Sequence, residues 1–310
     1  MSRDILDDSR PIAAADRDSE RSAPSAARAC ATADPSTHEV GARAREHPTD
    51  ARSGRPIAVR DGRQPMRWRD QTFHLRTSER TLLRTLGTFR TVPVRDLEDR
   101  LYGGDARRLL ADLRSLGTQD LVLTYGVTLR RGGPPEEIVT LSTRGQQLTA
   151  AQLMPPDRPV HAGFDKPREL AHDAALFRMF DAERQRVEAA GGTVRQVALD
   201  AELKGQVAAA VNQAVVRGAR FEDAQRAVAE AYGLRIVDGS VQIPDLRLEV
   251  ETAAGDRTRV DLELATAHYK PSQLAAKARA GFTFYAEPGE AGRISAALED
   301  RGLVAEIVSL

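Results

Sequence analysis

Only one cysteine, Cys30, occurs in the 310 residues, and it lies in a polar stretch. That excludes an internal disulfide framework and a cysteine-based zinc site, and it fits a reducing compartment, so a cytoplasmic location is expected. No apolar run approaches the ~20 residues of a membrane span, and the opening MSRDILDDSR lacks the apolar core of a signal peptide, so no membrane partner is expected. No G-x-x-x-x-G-K-[ST] loop occurs, which leaves nucleotide-driven chemistry unsupported, and no G-x-S-x-G elbow points to acyl hydrolysis. His161, His172 and His268 lack metal-ligand spacing and read as solvated or hydrogen-bonded side chains. Net charge is absent too: 45 acidic residues face 45 basic ones, so any surface for nucleic acid has to be local. Lysine is confined to Lys166, Lys204, Lys270 and Lys277, and arginine, which forks onto phosphates and guanine edges, supplies the rest of the positive charge.

What is present divides the chain. Residues 1–70 are rich in Ala, Arg, Asp, Ser and Pro without periodicity, and read as a disordered Arg/Ala-rich leader whose second half suits a basic arm or a plain solvated tail. Residues 71–154 change character. TSERTLLRTLGTF sets Leu82, Leu83, Leu86 and Phe89 on one helical face, and VRDLEDRLYG follows as a short helix. DARRLLADLRSLG starts at an Asp cap, turns Leu109, Leu110, Leu113 and Leu116 inward, and stops at Gly117. LVLTYGVTL and EEIVTLST then alternate like strands around RRGGPP. Three helices followed by a two-stranded wing are the order of a winged helix-turn-helix. Its third helix would present Arg107, Arg108, Ala111, Arg114 and Ser115 outward, with Arg130 and Arg131 at the wing tip, which are groove-reading and phosphate-contacting types. Double-stranded DNA is the expected partner. One such domain on one half-site binds weakly, which favours a homodimer or a second contact surface.

Residues 155–167 read as a Pro-rich linker, and residues 168–310 as a mixed α/β domain, so the expected fold class is α+β. Within that domain VQIPDLRLEVETAAGDRTRVDLELATAHYK forms a hairpin. Pairing residues whose numbers sum to 508 sets Glu251 against Arg257, Glu249 against Arg259 and Arg247 against Asp261, and leaves Leu248 with Val260 and Leu246 with Leu262 on the other face. An odd sum would oppose charge to apolar groups throughout. The favoured register also sets Asp245 across from Glu263, two like charges that a Mg²⁺ ion, a nearby cation or a shared proton would reconcile.

The chain from about residue 74 resembles the replication-relaxation family of plasmids and other mobile elements, on LSTRGQQL, HDAALFRMF, IPD and DLELATAHYKPSQLAAKARAGF. The resemblance implies a winged helix followed by a degenerate PD-(D/E)xK nuclease-like domain, and other mobile-element proteins as partners. It puts Asp261, Glu263, Ala265 and Thr266 on the family's acidic pattern, with Lys277 as its helical lysine. If the site is active, Asp245, Asp261 and Glu263 are the candidate acids, Asp245 and Glu263 the metal ligands for Mg²⁺, and Lys270 the catalytic amine. Lys277 and Glu169 are further contributors that spacing does not place. Glu or Ala stands where the motif's lysine belongs, so the leading reading is a duplex-DNA-binding accessory protein with an inactive nuclease-like domain and no cofactor. A metal-dependent endonuclease and a protein-interaction scaffold are the alternatives.

Overall fold

The computed structural model describes residues 62–128, 134–163, 167–266, 269–287 and 289–310. Residues 60–310 form one compact unit of mixed α+β structure. The leader up to residue 61 and the arginines at positions 130 and 131 lie outside the described residues.

Order begins earlier in the chain than composition suggests. Gln64–Trp68 (β1) pairs antiparallel with Gln71–Leu75 (β2), so the last residues of the expected leader are a hairpin. Phe73 and Leu75 are buried, and Met66 and Trp68 pack on the same core, which provides the stabilisation that the rest of the leader's composition lacks. Its turn is Arg69-Asp70, with Arg69 at φ 52°, and not a glycine turn, so no punctuation marks it in the sequence.

Thr77–Phe89 (α1) buries Leu82, Leu83, Leu86 and Phe89, as its periodicity predicts. Thr91–Pro93 (β3), the short Val94–Asp96 (α2) with its π-helical continuation Leu97–Leu101, and Ala106–Thr118 (α3) follow. Val122–Val127 (β4) and Glu136–Leu141 (β5) form the expected antiparallel pair, which β3 extends to three strands in the order β3-β5-β4. Thr143–Gln152 (α4) starts at Ser142, whose hydroxyl accepts from Gly145 N at 2.9 Å. A Cβ at Gly145 would stand 1.9 Å from the Leu121 carbonyl, so only glycine lets α4 close against β4.

The inward face of α3 differs from expectation. Leu109, Leu113 and Leu116 are buried, but Leu110 is 41% exposed, and Asp112 takes the inward position with no exposure. Asp112 accepts from Arg76 Nη1 at 2.8 Å, Ser78 Oγ at 2.6 Å and Tyr102 OH at 3.0 Å, which locks α3 to the start of α1. A buried carboxylate with three donors reads as a polar position in a hydropathy pattern, and that shifted the apparent stripe by one residue.

Residues 155–163 are packed backbone and not a free linker. His161 N donates to Gly87 O at 2.8 Å, Gly163 N to Thr140 Oγ1 at 2.8 Å, and Gln146 Nε2 to Val160 O at 2.6 Å. Gly87, in the middle of α1, leaves room for them: a Cβ there would touch Val160 Cγ1 at 3.0 Å. Pro167–Ala189 (α5) then crosses both halves. Phe89 meets the Phe177 and Phe180 rings at 5.4 and 5.1 Å, Arg178 Nε reaches Asp96 at 2.7 Å, and Arg100 reaches Asp181 at 3.1 Å. Burial raises the Asp96 carboxyl above its ordinary range, and the Arg178 guanidinium opposes that shift. The two expected domains thus share one core along α5.

Beyond α5 come Thr193–Leu199 (β6), Asp200–Val216 (α6), Phe221–Ala231 (α7), the small hairpin Ile236–Val237 (β7) and Ser240–Val241 (β8), Leu246–Glu251 (β9), Arg257–Ala265 (β10), Pro271–Ala280 (α8), Thr283–Ala286 (β11), Ala291–Glu299 (α9) and Ile307–Ser309 (β12). The five-stranded sheet runs β12-β11-β10-β9-β6; β6, β9 and β10 are mutually antiparallel, while β11 and β12 run parallel to β10. One face buries Leu246, Leu248, Val250, Leu262 and Leu264 in the shared core. Asp112→Ala should strand the three donors beneath α3 and cost about 3 kcal/mol in urea unfolding, whereas Leu110→Ala on the exposed side should cost less than about 1 kcal/mol.

Candidate functional site

The β9–β10 register is the one that charge pairing favours: Arg257 with Glu251, Arg259 with Glu249, Arg247 with Asp261 and Leu262 with Leu246. Arg247 is 5% exposed and grips Asp261 with two bonds, Nε to Oδ1 at 2.6 Å and Nη2 to Oδ2 at 2.7 Å. It also donates to the Tyr232 carbonyl at the end of α7. Asp261 is thereby committed to architecture, which removes it from the candidate catalytic set.

One step further along, the chain leaves the ladder and Asp245 meets Glu263. Asp245 N donates to Glu263 Oε2 at 3.2 Å, and Leu264 N donates to Asp245 Oδ2 at 2.9 Å. Two crossed backbone bonds thus hold the acids side by side. Glu263 has no exposure, and Asp245 is half-buried. The lysine expected here was Lys270, but that residue is exposed at the start of α8 and bonds neither acid. Lys277, two turns along α8, takes the position: its amine lies 2.9 Å from Glu263 Oε1 and 3.0 Å from Oε2, and donates to the Ile243 carbonyl at 2.6 Å. Tyr269 OH donates to Glu263 Oε1. Tyr269, Gln273 and Lys277, spaced four apart, all line one cleft of about 650 Å³ with Asp245 and Glu263. That spacing is the signal in the sequence that favours Lys277 over Lys270.

Electrostatics follow from burial. Desolvation first, and the Asp245 charge second, push the Glu263 carboxyl up to about 7 despite Lys277. Asp245 is likewise raised by burial, against the bond from Leu264 and the charges of His172 and Lys277. Burial and the Glu263 charge raise the Tyr269 phenol, which keeps it a donor. Among the described residues no group of three or more His, Cys, Asp and Glu is arranged to hold a metal ion. A pair of carboxylates is nonetheless a donor set that Mg²⁺ uses when substrate phosphate and water complete its shell, and Asp245 Oδ1 accepts no bond from the described residues. The Glu169 side chain lies outside the described residues.

A second candidate surface lies on α3. Asp105 caps the helix, its side chain accepting from Arg108 N at 3.0 Å. Arg107, Arg108 and Arg114 are exposed, with Ala111 between them. Arg107 and Arg114 have no ion-pair partner among the described residues. Ser115 is half-buried, and Gln119 Nε2 bonds its hydroxyl at 3.4 Å, so it belongs to the helix end more than to the exposed stripe. On β4, Leu123 and Tyr125 are exposed, which sequence alternation alone did not single out.

The chain matches no protein-family model, no curated protein and no solved structure. No helix of the described residues is long and apolar enough to cross a membrane.

The Glu263 titration gives a test of the buried pair. Between the ordinary value of 4.5 and about 7 the folded protein holds a proton that the unfolded chain has released. Its contribution to stability therefore falls as pH rises through that window. Calorimetry across it should show a declining Tm whose slope is reduced in Glu263→Gln; an unchanged slope would contradict the shift.

Proposed function

We propose that the chain binds DNA and carries, at the end of β9 and β10, a metal-dependent phosphodiester-cleaving site formed by Asp245, Glu263 and Lys277. The observation that carries this reading is the Lys277 amine on Glu263, with Asp245 alongside. The absence of a lysine two residues after Glu263 was the reason to expect an inert site, and an amine reaching the same carboxylate from α8 removes that reason. The order α5, β6, β9, β10, α8, β11, with three antiparallel strands and a parallel fourth, supports a PD-(D/E)xK-like core. In the first half, the sequence of α1, α3 and the β4–β5 pair supports a winged helix with α3 as its reading helix.

The chemistry is hydrolysis. A water oxygen bonds to phosphorus, the bond from phosphorus to one sugar oxygen breaks, and that oxygen leaves with a proton. Asp245 and Glu263 would hold Mg²⁺, whose charge polarises the phosphodiester and acidifies bound water. Lys277 donates hydrogen bonds toward the attacked phosphate and balances the charge that builds there. Tyr269 holds the Glu263 rotamer, and the crossed backbone bonds fix the separation of the acids. Arg107 and Arg114 supply phosphate or base contacts on duplex DNA, and the resemblance to replication-relaxation proteins points to a plasmid or other mobile element as the setting.

A second reading, DNA binding with an inert cleft, is favoured by one feature. Glu263 already accepts from Tyr269, Lys277 and Asp245 N, so its oxygens are satisfied without a cation. Nicking of supercoiled plasmid separates the two. The first reading expects Mg²⁺- or Mn²⁺-dependent nicking that falls at least about a hundredfold in Asp245→Ala, and its absence with both metals leaves the second. Duplex binding should weaken steeply with salt and drop about tenfold or more when Arg107 and Arg114 are both changed to alanine; salt-independent binding would contradict the role of α3.

A further inference from the structure

The cleft's shape and lining speak to which form of nucleic acid enters it. Its floor is Glu263, with no exposure, and half-buried Asp245. One wall is the segment from β7 to Ile243 and the other is the first turns of α8. These walls are cross-tied: Lys277 Nζ donates to Ile243 O at 2.6 Å, and Arg279 Nη1 lies 3.3 Å from Asp238 Oδ2 at the hairpin turn. A phosphodiester has to descend between them to reach the acids. The space, about 650 Å³, is of small-ligand size and has room for about two nucleotides. A base-paired duplex, which carries both backbones on one stiff rod, does not fit between the walls.

The lining agrees with the dimensions. Arginine supplies all but four of the 45 basic side chains, yet none lines this cleft. Its cations are Lys204 and Lys277, two of the four lysines. The remaining polar surface comes from hydroxyls and amides such as Ser240, Gln242 and Gln273, with the Tyr269 ring beside them. Amides and hydroxyls match the exposed edges of unpaired bases, an aromatic ring offers a stacking surface, and a few cations suffice to track one backbone. A duplex clamp would instead present a broad arginine surface, which this chain offers on α3 and not here.

We infer that the cleft takes a single nucleic-acid strand, so that the cleaved substrate is single-stranded DNA or the unpaired arm of a branched duplex. The inference rests on the phosphodiester-cleaving reading above. Lys204, in the first turn of α6 and 2.7 Å from Asp200, is assigned as a grip on the strand's phosphates.

The test uses the full chain with Mn²⁺ or Mg²⁺ and three labelled DNAs of one sequence: a single strand, its blunt duplex, and a duplex with an unpaired arm. The single strand and the arm should be cut at least about tenfold faster than the blunt duplex, and Lys204→Ala should raise KM for the single strand about threefold or more. Blunt duplex cut as fast as the single strand overturns the strand assignment while leaving the cleavage reading intact. No cleavage of any of the three with either metal overturns both.

Discussion

The buried pair between Arg247 and Asp261 sets the rest of the site. A guanidinium that is 5% exposed has to be matched within the fold, and Asp261 matches it with two bonds. Only one register of β9 against β10 permits that match. A slip of one residue would put Arg247 against the apolar face and turn Leu248 and Leu262 out of the core. Because that register is fixed, Asp245 and Glu263 arrive together at the strand ends, where neither would be stable alone. The architectural acid and the chemical acids lie on the same face of β10, two residues apart, and have opposite tasks.

Bringing two carboxylates together in a buried place is costly, and the surrounding residues show how the cost is offset. Backbone donors meet each acid, Tyr269 donates to Glu263, and Lys277 supplies the countercharge. Even so, burial and mutual repulsion leave Glu263 close to neutral pH. Acids placed against their solvation preference are a recurrent mark of functional clefts, although structural ion-pair networks also produce them. What favours function here is that Tyr269, Gln273 and Lys277 open onto a shared cleft and are not sealed in the core.

Much of this was legible in the sequence wherever local chemistry decides. Cross-strand charge matching gave the hairpin register, and through it the meeting of Asp245 with Glu263. Leucine periodicity placed α1, and the Asp cap and Gly-Gly stop framed α3 and α5. Other features escaped because their cause is tertiary. The β1–β2 hairpin turns on an arginine at positive φ, so nothing in the sequence marks its turn. The β7–β8 hairpin was announced by Asp238-Gly239, a turn pair at positive φ that deserved more weight beside the richer hairpin that follows. Leu110 was misplaced because buried Asp112 reads as a surface residue. Lys270 was preferred for its nearness in sequence, whereas the helical turn of α8 brings Lys277 to the acids. The expected division at residues 155–167 missed that α5 gives both halves one core, a long-range fact that composition does not carry.

The central claim is that the amine of Lys277 completes the site of Asp245 and Glu263. A direct test compares Lys277→Ala with Lys270→Ala in one plasmid-nicking assay with Mn²⁺, after circular dichroism has established that both variants are folded. The account predicts that Lys270→Ala nicks like the unaltered chain while Lys277→Ala loses at least about a hundredfold in rate. Equal nicking by both variants would contradict it.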